Sequence, residues 1–178
     1  MEKVSLLEIL LKVLEIVNER NAGMKIKLLF FDIDGTLTDG KIYMGPDGEI
    51  MKAFDIKDGY GINEILPKYE ITPVIITGRT SKIVENRARE LHISELYQGK
   101  HDKLETLMDV MSKYGCEKGE AAYFGDDVLD IVAMNKCGVI GCPADAVEEV
   151  KQISYYICKR KAGHGAAREF IEWLVSKY

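Results

Sequence analysis

The chain has 178 residues, 47% of them hydrophobic and 30% charged, and a formal net charge of -5. That length suits one compact domain able to bury a sizeable core. An acidic balance without a clustered stripe of Lys and Arg argues against a nucleic-acid partner.

No apolar run approaches the ~20 residues a membrane helix needs, so no membrane partner is expected. The first stretch does not read as a signal peptide, because Glu8, Lys12 and Glu15 interrupt it and no small-residue cleavage site follows. Leu7, Leu10, Leu11, Leu14 and Val17 recur at helical spacing instead, between a Ser5/Glu8 capping box and a stop at Gly23. Residues 1–24 are therefore expected to form an amphipathic helix, and 25–178 the main domain. Cys116, Cys137, Cys142 and Cys158 form no paired CxxC ligand set, and with His92, His101 and His164 they do not give zinc spacing. Reduced cysteines and a cytoplasmic location are expected.

From there strand and helix alternate. A strand over Ile26–Phe31 runs into Asp32-Ile33-Asp34-Gly35-Thr36, and Lys41–Met44 and Ile50–Phe54 flank Gly45-Pro46-Asp47-Gly48, which predicts an inserted β-hairpin. Further strands are expected at Pro73–Ile76, Glu95–Gln98, Ala121–Phe124, Gly138–Gly141 and Ser154–Ile157. Helices are expected near Tyr60–Leu66, Ser81–Leu91, Lys103–Tyr114, Val128–Asn135 and Ala166–Val175. Short apolar strands bounded by turns and separated by helices predict an α/β fold: a doubly wound parallel sheet, with the hairpin but without room for a cap domain.

In such sheets ligands bind beyond the carboxyl ends of the strands. One end carries Asp32 and Asp34, another Thr77-Gly78-Arg79, a third Gly125-Asp126-Asp127 with Asp130 close behind. Carboxylates converging on one crevice repel each other unless a cation sits among them, and their oxygens suit Mg²⁺. A calcium EF-hand fails as the alternative, since that loop needs Gly at its sixth and Glu at its twelfth position. Here Gly stands fourth and Tyr43 twelfth. Asp32 can then attack phosphorus as a carboxylate nucleophile, while Asp34 protonates the leaving oxygen and later activates water. Thr77 can hydrogen-bond the phosphoryl oxygens. A lysine is also wanted to neutralise charge; Lys103 is the best-placed candidate and Lys100 the alternative.

In their order, Asp32-x-Asp34-Gly-Thr, Thr77-Gly-Arg, Lys103 and Gly125-Asp126-Asp127-x-x-Asp130 resemble the four motifs of the haloacid dehalogenase (HAD) superfamily. Leu37–Tyr43, Lys52-Ala53-Phe54, Asp58-Gly59-Tyr60-Gly61 and Gly163–Glu169 are similar to the 3-deoxy-D-manno-octulosonate 8-phosphate (KDO-8-phosphate) phosphatases. The resemblance runs from about Lys25 to Tyr178. It implies hydrolysis of KDO-8-phosphate to KDO and phosphate, a step in lipopolysaccharide sugar biosynthesis. It also implies homotetramers whose hairpins build a central barrel and whose neighbouring subunits cover each site. Metal ligation is implied for Asp32, the Asp34 carbonyl and Asp126, with Asp127 beside them and Asp130 orienting the shell. Substrate contacts are implied for Asp34, Asp55, Lys57, Asp58, Gly59, Asn63, Gly78, Arg79, Arg87 and Lys103.

Asp55 stands where that family usually has Asn, Lys57 where it has Arg, Asn63 where an Arg often lies, and His164 replaces another Arg. Losing planar guanidinium forks weakens bidentate carboxylate recognition. A nine-carbon, sialic-acid-type 9-phosphate thus remains the alternative substrate. A non-catalytic oligomerisation domain is an alternative of another class, which the intact motifs oppose. Halide displacement needs no acid two residues after the nucleophile, which disfavours a dehalogenase. For Arg79 and Arg87 a surface salt bridge is the competing explanation, and for Gly163-His164-Gly165 a plain stop before the last helix.

Overall fold

Every residue of Leu28–Phe31 (β1) is apolar and buried, because the strand is covered on both faces. Successive side chains alternate between two cores. Leu29 and Phe31 enter one with Ala122 and Phe124; Leu28 and Phe30 enter the other with Ala121 and Tyr123. The computed structural model describes residues 25–177, and the amphipathic helix expected over 1–24 lies outside them.

The remaining elements are the hairpin strands β2 (Tyr43–Gly45) and β3 (Gly48–Met51), then α1 (Ile56–Tyr60), β4 (Thr72–Ile76), α2 (Lys82–Glu90), β5 (Glu95–Tyr97) and α3 (Lys103–Lys113). There follow β6 (Ala121–Phe124), α4 (Ile131–Met134), β7 (Val139–Cys142), α5 (Glu148–Ile153), β8 (Tyr156–Ile157) and α6 (Ala166–Val175). Six strands form one parallel sheet in the order β5-β4-β1-β6-β7-β8. Ile62, Val84, Ala88, Phe170, Ile171 and Leu174 cover one face; Leu107, Val110, Met111, Met134 and Val150 cover the other. The chain moves outward from β1 to β4 and β5, then crosses back to β6 on the other side of β1. That reversal opens a crevice at the carboxyl ends of β1 and β6.

The hairpin is present with a tighter turn than expected. β2 and β3 extend into Gly45 and Gly48, which pair directly, leaving Pro46-Asp47 as the loop and Gly48 at φ 119°. A single bridge between Thr38 and Phe54 closes its base.

Two helices differ from expectation. The one expected near Tyr60–Leu66 begins at Ile56, because Asp55 caps it by accepting from the Lys57 N–H at 2.7 Å. It continues as a π turn over Gly61–Ile65 and a 3-10 turn over Leu66–Tyr69. Its glycines serve close packing: a Cβ on Gly59 would lie 2.5 Å from the Arg87 guanidinium, and one on Gly61 would lie 3.0 Å from Ile171. Helix α5 escapes the periodicity reading because it is six residues long with Val150 as its single buried anchor.

Candidate active site

The loop after β1 is folded by the Ile33 carbonyl, which accepts from the N–H groups of Thr36, Leu37 and Thr38 at 2.9–3.2 Å. Gly35 sits in this loop at φ 91°, and a Cβ there would lie 2.2 Å from Asp126 Oδ2. The first acidic loop and the loop after β6 therefore touch through a residue that must lack a side chain. Thr36 Oγ1 completes the joint by donating to Asp126 Oδ1 at 2.6 Å.

Lys103 opens α3 and is buried, 5% exposed. Its ammonium lies 2.8 Å from Asp32 Oδ1 and 2.7 Å from Asp130 Oδ1. Burial works against its charge, but Asp32 and Asp130 more than offset this and hold it above its ordinary value. Lys100 is exposed, so Lys103 is the lysine inside the cluster. Asp130, with no exposure, is fully engaged. Tyr123 Oη donates to its Oδ1 at 2.8 Å, and the Asp126 and Asp127 N–H groups donate to its Oδ2 at 3.3 and 3.4 Å. It therefore aims Lys103 and shapes the Gly125–Asp127 turn.

Asp32, Asp126 and Asp130 each offer a carboxylate oxygen, and these oxygens lie within 4.8 Å of one another. Burial pushes Asp32 up against the pull of Lys103, and burial with the Asp32 and Asp130 charges pushes Asp126 up to about 7. Asp127 stands apart from this group. It is exposed and caps the following turn, accepting from the Val128 N–H at 2.7 Å.

Thr77 is buried at the end of β4, its N–H on the Tyr97 carbonyl and its carbonyl accepting from Lys100 N–H, each at 3.0 Å. Gly78 follows against the His101 region, and Arg79 reaches Asp34 Oδ2 at 3.7 Å. Asp34 also pairs closely with Lys52, which lies 2.8 Å from Glu49; Ser81 Oγ donates to Glu49 at 2.5 Å. Glu49, Ser81 and Tyr123 were not expected at the site, and in the sequence Thr36 and Lys52 stand only as parts of motifs, with no role assigned. A lysine and a glutamate on a hairpin normally read as solvated residues, and Tyr123 reads as core.

The other candidates are not gathered around Asp32 within this chain. Arg87 packs over the Phe54 ring and donates to the Asp55 carbonyl at 3.4 Å, bracing the 54–59 segment against α2. Asp58 is buried and accepts from the Arg168 N–H of α6 at 2.7 Å. Lys57 is exposed beside Arg160 and Arg168 in an open groove. Asn63 contacts His92 at 2.9 Å, after the end of α2 and so toward the opposite edge of the sheet. Gly163 packs on Thr38 and Asp39, which lays the glycine-rich tail against the first acidic loop of the same chain.

A family model for haloacid dehalogenase-like hydrolases matches residues 74–170. The 3-deoxy-D-manno-octulosonate 8-phosphate phosphatase KdsC of Yersinia pestis is 40% identical over 150 residues, covering 84% of this chain and 80% of the relative. Its counterpart from Escherichia coli K12 is 42% identical over the same length, 84% of this chain and 79% of that one. A solved phosphatase of this name from Moraxella catarrhalis, in complex with magnesium, phosphate and KDO, superposes with a TM-score of 0.83. That match has 37% identity and covers 90% of this chain and 91% of the other. On this shared sequence and fold, the chain belongs to the haloacid dehalogenase-like hydrolases, in the family of the 3-deoxy-D-manno-octulosonate 8-phosphate phosphatases.

Proposed function

We propose that the protein is a magnesium-dependent phosphomonoesterase that hydrolyses KDO-8-phosphate to KDO and phosphate through an aspartyl-phosphate on Asp32. The observation that carries the reading is the buried Lys103 bridge from Asp32 to Asp130, with Asp126 in the same carboxylate group at the β1/β6 crevice.

The donor set fits the metal. It is all oxygen, as a hard cation requires, and of its three carboxylates two pair with Lys103. Asp130 spends its oxygens on Lys103, Tyr123 and two backbone N–H groups, which leaves Asp32 and Asp126 as the carboxylates that would hold the ion, and the family resemblance adds the Asp34 carbonyl. When bound, magnesium supplies positive charge beside the phosphoryl oxygens.

Asp32 attacks phosphorus while its Oδ1 stays anchored on Lys103. The phosphorus–ester bond breaks, and Asp34 gives its proton to the departing sugar oxygen. Asp34 then takes a proton from water, whose oxygen attacks phosphorus, breaks the acyl-phosphate bond and frees Asp32. Lys103 screens the nucleophile and the incoming phosphate, and Thr77 and Gly78 line the transferring group. Arg79, half-exposed beside Asp34, suits the sugar carboxylate.

Exposed Met44, Ile50 and Met51 on the hairpin support assembly through that element, which we take to be a homotetramer. Four unpaired cysteines suit a reducing cytoplasm. Purified protein with Mg²⁺ should release phosphate from KDO-8-phosphate far faster than from p-nitrophenyl phosphate or a nine-carbon 9-phosphate. Full turnover by an Asp32→Asn variant would overturn the mechanism, and equally poor rates on both sugars would overturn the substrate.

A further inference from the structure

Lysine is almost never fully buried unless paired. The Lys52 side chain has no solvent exposure, and its partners are two carboxylates, Asp34 in close contact and Glu49 at 2.8 Å. Glu49 is held in turn: its Oε2 accepts from Ser81 Oγ at 2.5 Å, and the Arg79 guanidinium lies 3.8 Å from its Oε1. The same guanidinium is 3.7 Å from Asp34. Two carboxylates and two cations thus alternate around a closed, neutral square. Its corners come from three separate segments: the loop after β1, the far end of the hairpin and the loop after β4. Removing one partner of a buried pair leaves the other charge uncompensated, so each corner holds the rest.

We infer that Lys52, braced by Glu49, is a positioning residue that fixes the Asp34 carboxylate for proton transfer at the leaving oxygen. The inference rests on the phosphatase reading given above. Lys52 acts through Asp34: both its ionic partners belong to the square, while Lys103 serves Asp32. Glu49 matters because without it two cations would face Asp34 alone, drawing its carboxylate toward themselves and away from the substrate. A side chain held from three segments also loses little freedom when the substrate arrives, which is where positioned acid–base groups gain their rate.

The test exploits the leaving group. A sugar alkoxide must be protonated as it departs, whereas p-nitrophenolate leaves without a proton. Relative to wild type, Lys52→Met should lower kcat/KM, which counts only the steps through departure of the leaving group, by roughly 10–100-fold on KDO-8-phosphate, a part of the usual general-acid contribution, yet by less than about 3-fold on p-nitrophenyl phosphate. The later attack of water, common to both esters, falls outside this ratio. Lys52→Arg should restore part of the sugar-phosphate rate, and adding Lys52→Met to Asp34→Asn should cause no further loss. Glu49→Gln, which keeps the lysine, should show the same selectivity more weakly and carries the test if Lys52→Met does not fold. Equal losses in kcat/KM on the two esters, or full additivity with Asp34→Asn, would overturn the inference while leaving the phosphatase reading intact. A folded wild type inactive on every sugar phosphate would overturn that reading itself.

Discussion

Asp58 is a buried carboxyl group whose stability effect has a defined sign. One oxygen accepts from the Arg168 N–H at 2.7 Å, near the start of α6, while Oδ2 has no hydrogen-bond partner. Burial, reinforced by the Asp55 charge and opposed by the N–H groups of Arg168 and Gly165, raises it from an ordinary 3.8 to about 6. Between those values the native state binds more protons than the unfolded chain, so this group's contribution to stability falls as pH rises. Below pH 4 both states are protonated and the effect vanishes; above pH 6 it is complete. At about 1.4 kcal/mol per pH unit, the full difference is roughly 3 kcal/mol. Asp58→Asn keeps the acceptor for Arg168 and cannot ionise. The amide buried at the Oδ2 position adds a roughly constant cost of about 1–3 kcal/mol. Urea unfolding of both proteins from pH 4 to 7.5, at one protein concentration so that any self-association weighs equally on both, reads the difference. The variant should gain roughly 3 kcal/mol on wild type across the window, most of it between pH 4 and 6. A difference that stays flat with pH would show that Asp58 does not keep its proton in the fold, and the burial argument would fail.

Gly35→Ala places a methyl group 2.2 Å from Asp126 Oδ2, in a residue at φ 91°. It should weaken Mg²⁺ activation by roughly 10–100-fold, as loss of ligand support does, and a titration of activity against Mg²⁺ checks it. On the hairpin, Ile50→Glu puts a charge where an exposed apolar side chain now stands beside Met44 and Met51. Light scattering should show the assembly falling to smaller species, and an unchanged mass would remove the hairpin from the interface.

The sheet was legible because its central strands are buried on both faces, and Leu28–Phe31 and Ala121–Phe124 contain no polar side chain except the Tyr123 hydroxyl. The first acidic loop was legible for the same reason: Asp32 is the first charge after an unbroken apolar run, and Asp126 follows another such run and Gly125. Lys103 reads ahead of Lys100, three positions earlier, from its place at the start of a helix, and the structure adds that Lys103 is buried against Asp32 and Asp130 while Lys100 is exposed. The Asp34–Lys52–Glu49–Arg79 square was out of reach because its members are up to 45 positions apart and gain their environment only when the hairpin folds over the loops. Asn63 illustrates the opposite limit. It stands near Gly59 in sequence, but the turn after α1 carries it to His92, away from the crevice.

Charge explains why the site is built from two parts with different balance. Around Asp34, two carboxylates meet two cations, and nothing further is required to hold them. Around Asp32, three carboxylates gather beside Lys103, which pairs with Asp32 and Asp130, an excess of two negative charges in a largely buried place. Such an excess repels itself at short range, and it adds to the burial that pushes Asp126 up to about 7. One divalent cation cancels it, whereas a monovalent ion would leave Asp32 beside an uncompensated carboxylate. The balanced part can therefore keep Asp34 in place whether or not metal is bound. The unbalanced part would be neutralised by a divalent ion held between Asp32 and Asp126.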